Sequence, residues 1–100
     1  MKFELVPSNH FLKQMCELDE KDRRRVKNKL LLAEQNPFRN KVLHSKEFNH
    51  VFRVRVNIQD REKRIVYVIL KDKILIAGIL DRDKDYRELK EYLKKAKKEL

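Results

Sequence analysis

The stretch RIVYVILKDKILIAGIL, residues 64–80, decides the fold. Two apolar runs, 65–70 and 74–80, are separated only by Lys71, Asp72 and Lys73, which leaves room for a tight turn and nothing longer. Each run is short for a helix and rich in β-branched residues, so both read as strands, paired antiparallel. Neither run alternates with polar residues. Both therefore belong at the centre of a sheet, with their faces covered by helix.

The segments on either side supply that cover. Upstream, VFRVRVNI (51–58) alternates, with Phe52, Val54 and Val56 on one face and Arg53 and Arg55 on the other. The short connection QDREK joins it to the Arg64 strand, giving a three-stranded meander over 51–58, 64–70 and 74–80. Ser8-Asn9 suits a helix start, and Phe11, Leu12, Met15 and Leu18 follow at helical spacing. Asp19 with Asp22 opens a second helix whose stripe, Val26, Leu30 and Ala33, stops at Asn36-Pro37. The two make an αα-hairpin. Leu89, Leu93, Ala96 and Leu100 mark a C-terminal amphipathic helix. Residues 2–7 read as a short edge strand ended by Pro7, and 37–50 as irregular chain anchored by Phe38, Leu43 and Phe48. The expected order is β-α-α-β-β-β-α. This is an α+β fold, an antiparallel sheet with an N-terminal αα-hairpin and a C-terminal helix, in one domain over residues 1–100.

Charge narrows the function. Lys and Arg number 26 against 16 Asp and Glu, a net +10 at neutral pH. A field of that sign on a small domain favours polyanions such as nucleic acid, or an acidic protein. Cys16 is alone, and His10, His44 and His50 lack the spacing of a ligand set, so neither a disulfide framework nor a metal is expected. Nothing resembles a signal peptide, and no apolar run approaches the ~20 residues that span a bilayer. The expectation is a cytoplasmic protein with no membrane association, no metal and no small-molecule cofactor.

The arginines carry the sharper signal. If the hairpin turns at Gln59-Asp60, Arg55 lies directly opposite Arg64 and shares its face; a one-residue slip would turn Arg64 to the apolar side. Arg82 counts to the side of Leu80 and Gly78, where glycine leaves space above the sheet, and Tyr86 follows four residues later. Taken singly, each has a plainer reading: a solvated arginine that discourages edge pairing, or a tyrosine packed at a helix start. Together, Arg53, Arg55, Arg64, Arg82 and Tyr86 make a candidate phosphate site. Arginine is planar, permanently charged and donates in pairs, and tyrosine can stack on a base.

These segments resemble the RelE/ParE toxin superfamily of toxin–antitoxin systems. The resemblance is carried in order by NPFRNKVL, FRVRV, RIVYVI and ILIAGILDRDKDYREL; within them stand the Arg-x-Arg strand, Arg64 with Tyr67, and Arg82 with Tyr86. It implies a RelE-like toxin that binds mRNA on the ribosome and cuts it by attack of a ribose 2′-OH on the adjacent phosphate, without a metal. Arg53 and Arg55 would hold the backbone, with Arg55 also taking part in chemistry. Arg64 and Arg82 would stabilise charge on the phosphate. Tyr86 would stack on a base or assist proton transfer. An acidic antitoxin would be the protein partner, through a segment that folds on binding. Two features depart from the family pattern: the first hairpin has no glycine, and the basic pair of its strand is arginine. Arginine is a poor general base, which leaves Glu47, Glu62 and Asp83 as the carboxylates near in sequence. A ParE-like gyrase inhibitor and a non-toxic nucleic-acid-binding domain are the alternatives.

Overall fold

In the computed structural model, which describes residues 2–43, 50–81, 91, 93–95 and 98, the two apolar runs form the middle of a five-stranded sheet. In chain order the elements are β1 (Glu4–Pro7), α1 (Asn9–Cys16), α2 (Glu20–Gln35), a single 3-10 turn (Pro37–Arg39), β2 (Lys41–Leu43), β3 (Val51–Ile58), β4 (Arg61–Leu70) and β5 (Lys73–Asp81). The strands lie in the order β1-β5-β4-β3-β2. The meander β3-β4-β5 is antiparallel as expected, and β1 joins β5 in parallel, with Val6 beside Leu75. That parallel edge has no signature in six residues of alternating sequence, because it is made across the whole chain.

Local chemistry sets the boundaries. Ser8 accepts from the Phe11 amide at 3.1 Å, capping α1, and its hydroxyl donates to the Ala77 carbonyl at 2.9 Å, fastening the helix start to β5. Asp19 caps α2 by accepting from the Asp22 amide at 2.8 Å. The β3–β4 turn needs no glycine: Gln59 and Asp60 both take the left-handed conformation (φ 52° and 62°) of a two-residue hairpin turn. As a result β4 starts at Arg61, three residues before the expected start, and the charged REK continues the ladder.

Core residues occupy both faces. Phe11, Val26 and Leu30 from the helical hairpin pack on Val56, Ile58, Ile65, Ile76 and Ile79. On the opposite face Val51, Val66, Val68, Leu75, Ala77 and Leu80 form a second cluster. It includes Leu93, which is buried and lies in helical chain, as the C-terminal apolar repeat implies. A register shift makes the two faces compatible. Val66 faces Gly78 and Tyr67 faces Ile76, so Ala77 is an extra residue in β5. Ile76 and Ile79, three apart, thereby reach the same core. The space expected above Gly78 is filled: a Cβ there would meet Gln14 Oε1 and His10 Cδ2 at 3.0 Å. Gln14 uses that proximity to accept from the Ile79 amide at 2.7 Å and donate to the Ile79 carbonyl at 2.8 Å. Its side chain thus continues β1 along the edge of β5.

Candidate functional site

Pairing of β3 with its neighbours gathers the cations. Arg55 lies directly opposite Arg64 on β4, and Arg53 directly opposite Lys41 on β2. Directly opposed residues share a face, and Arg53 and Arg55 are two apart on one strand. Lys41, Arg53, Arg55 and Arg64 therefore occupy the same side of the sheet, beyond the end of the Leu93 cluster. A carboxylate meets them: Glu62 Oε1 lies 3.3 Å from Arg55 Nε. Of the carboxylates named from sequence, Glu47 and Asp83 fall outside the described residues, as do Arg82 and Tyr86.

Arg53 differs from what strand alternation implies. It is not a solvated side chain but 7 % exposed, and its Nη1 is buried without a hydrogen-bond partner among the described residues. Burial arises because β2 covers that end of β3, so Arg53 has a strand on each side: Lys41 on one and Val66 on the other. A permanently charged group placed there carries a desolvation cost that ordinary packing does not return. Arg55 remains exposed, and Arg64 is half-buried.

Tyr67, part of the Arg64 strand motif, points to the other face. It is fully buried, stacks on Phe52 at 5.6 Å between ring centres, and donates from its hydroxyl to the Pro37 carbonyl at 2.6 Å. Asn40 Nδ2 donates to the same hydroxyl at 2.8 Å. Burial raises the Tyr67 pKa from its ordinary value near 10.0, and the Asn40 hydrogen bond draws it partly back. This tyrosine ties the start of the 3-10 turn and the residue before β2 to the core. The chain between those ties carries Arg39, and the strand after them carries Lys41. Sequence reading left both unassigned, because 37–50 shows no periodicity; the basic residues in NPFRNKVL were the available signal.

Between α2 and β3, Lys29, Arg39, Asn40, Lys41, Arg53, Val54 and Arg55 line an open groove of about 350 Å³. Farther along the same strand a second groove, of about 570 Å³, is bounded by Arg25, Lys29, Asn57 and Asp60. Among the described residues no three His, Cys, Asp or Glu side chains gather to hold a metal ion. No described helix is long and apolar enough to cross a membrane.

The fold is shared with solved structures of RelE toxins. Solved structures that share it include free E. coli toxin RelE carrying two arginine-to-alanine substitutions. That chain is 17% identical, with 100% of this chain and 99% of that one covered, at a TM-score of 0.68. The intact E. coli RelBE toxin–antitoxin complex matches at 16% identity, covering 82% and 99%, with a TM-score of 0.65. The archaeal RelE–RelB complex of Pyrococcus horikoshii matches at 16% identity, covering 85% and 100%, with a TM-score of 0.60. No family model matches the sequence, and no curated protein matches it.

Proposed function

We propose that the chain is the toxin of a toxin–antitoxin pair and acts as a RelE-like, ribosome-dependent mRNA endoribonuclease in the cytoplasm. The observation that carries this reading is the directly opposed pair Arg55 and Arg64, on one face of a RelE fold, with Arg53 and Lys41 beside them. Like charges directly across a sheet repel, and an anion between them reverses the sign of that interaction.

In the proposed reaction a ribose 2′-oxygen attacks the adjacent phosphorus. The 2′-O–P bond forms and the P–5′-O bond breaks, leaving a cyclic phosphate and a 5′-hydroxyl. The 2′-OH loses one proton and the departing 5′-oxygen gains one. Negative charge builds on the phosphate oxygens during transfer, and preorganised guanidinium groups stabilise it where it develops. Arginine holds its proton too tightly to act as the base. Glu62, whose carboxylate lies against Arg55, is the residue this reading gives the 2′-OH proton. By the family resemblance Arg82 adds a further cation at the phosphate, and Tyr86 stacks on a base or assists proton transfer. The chain's +10 charge suits an acidic antitoxin segment that folds on binding, and two of the structural neighbours are complexes of a RelE with its RelB.

The test is induced expression in the source organism, with primer extension on ribosome-bound mRNA. Wild type should arrest growth and yield discrete cleavage products. Arg64→Ala should lose both while remaining folded by circular dichroism. Growth arrest with intact mRNA and inhibited gyrase supercoiling would instead assign the chain a ParE-like role.

A further inference from the structure

We infer that the groove between α2 and β3, lined by Lys29, Arg39, Lys41 and Arg53, is a second phosphate site, occupied by the same RNA strand as it leaves the sheet face. The inference rests on the reading above that the sheet face binds RNA.

Three independent features converge on it. The first is its charge. Five of the groove's lining residues are cations and none is a carboxylate. The neighbouring groove contains Asp60, and the one on the outer surface of α2 contains Glu20, already paired with Arg24 at 3.5 Å. Those two carry their own counter-charge. The second feature is a built donor: Arg53 is 7 % exposed, with Nη1 buried and lacking a partner among the described residues. A desolvated guanidinium with an unused N–H binds a phosphate oxygen more strongly than a surface lysine does. The third is a fixed wall. Asn40 is held by the buried Tyr67 hydroxyl, whose other bond fixes Pro37, so the chain presenting Arg39 is anchored at both ends.

Among the described residues the route into the groove is open. β2 pairs only with Val51–Arg53, so Val54 to Ile58 have no strand on that side among the described residues. Arg55 borders both the groove and the sheet face, where it opposes Arg64. A phosphodiester chain crossing Arg55 therefore meets further cations along the groove. A lone carboxylate would satisfy Arg53 but leave Lys29 and Arg39, on other elements, without an anion. That asymmetry favours a polymer of phosphates over an acidic side chain.

The experiment is fluorescence anisotropy of a ten-nucleotide single-stranded RNA over a range of KCl, comparing wild type with Lys29→Ala/Arg39→Ala. Both positions are exposed, so the double variant should keep the fold. Two lost phosphate contacts should reduce the slope of log K against log salt by about 1.4, so the wild-type advantage shrinks about sevenfold between 50 and 200 mM. Lys29→Arg/Arg39→Lys should restore the wild-type slope. An unchanged slope in the alanine variant, with binding still lost in Arg55→Ala, overturns the groove and leaves the sheet-face reading standing. If wild type binds no RNA, both fall. If the alanine variant loses poly-glutamate binding while its RNA slope is unchanged, the groove belongs to an acidic protein and the inference is overturned.

Discussion

Replacing Arg53 with methionine should make the free protein more stable and its RNA complex weaker. The side chain is 7 % exposed, opposes Lys41 directly, and buries Nη1 without a described partner. Two unit charges about 6 Å apart repel by roughly 0.7 to 2.8 kcal/mol for effective dielectrics of 80 to 20. Desolvation of the guanidinium adds to that. Methionine preserves the apolar stem and flexible length, so packing is largely kept. Exchanging buried charge for apolar volume has stabilised other proteins by about 1–4 kcal/mol. In a domain of this size each kcal/mol moves the melting temperature by about 4–8 °C. Arg53→Met should therefore melt at least about 4 °C higher than wild type, followed by circular dichroism in dilute buffer without phosphate. Adding inorganic phosphate at about ten times its Kd should raise the wild-type melting point by the equivalent of about 1.4 kcal/mol, and should raise that of the variant by less. A fall in melting temperature for Arg53→Met would refute the reasoning: the guanidinium would then be satisfied in the free protein and not held in reserve for an anion.

The other predictions concern the supports of the site. Tyr67→Phe removes both hydrogen bonds of the buried hydroxyl and should cost about 1–3 kcal/mol in urea denaturation. Because the folded-state pKa of Tyr67 is raised, the phenol in the unfolded chain loses its proton first. Stability should be intact below pH 10 and fall by up to about 1.4 kcal/mol per unit above it, and Tyr67→Phe should remove that part of the alkaline loss. Gly78→Ala places a methyl 3.0 Å from Gln14 Oε1, an atom fixed by its bond to Ile79. It should destabilise by about 1–3 kcal/mol in the same assay. Glu62→Gln keeps the contact near Arg55 but cannot take a proton. Single-turnover cleavage on ribosomes should slow by about 10²–10⁴ with RNA affinity unchanged or higher; unchanged turnover would remove Glu62 from the chemistry.

How far the sequence carried the fold depends on the range of the interaction concerned. The centre of the sheet was legible because IVYVIL and ILIAGIL are apolar on both faces, and the two helix starts because Ser8 and Asp19 cap within three residues. The opposition of Arg55 and Arg64 was legible only as one of two registers, because a one-residue slip would turn Arg64 to the apolar side and the turn residues do not exclude it. What escaped was set by distant chain. Ala77 breaks the two-residue alternation next to Gly78, where α1 comes close against the strand. The turn at Gln59-Asp60 adopts positive φ without the glycine that ordinarily announces it. The parallel pairing of β1, and β2 itself, come from four and three residues whose partners lie far along the chain or across a loop. Arg53 was assigned correctly to its face but not to its burial, because alternation gives direction and not what lies above. Lys29, Arg39 and Lys41 become neighbours only once α2, the 3-10 turn and β2 converge.

The Gln14–Ile79 pairing also bears on how this chain can associate with copies of itself. A sheet that grows by adding strands into a fibre needs two receptive borders, one on each side. Here one border ends in four residues closed by Pro7, and the stretch beyond it is occupied by a side-chain amide imitating a strand. The other border, Val54 to Ile58, has no strand beside it among the described residues and lies next to cations that repel a second copy. An extended segment that docks there by backbone pairing finds no equivalent border on the far side, so the addition ends with it. The two borders of the described sheet are thus unlike, which works against stacking of copies strand on strand.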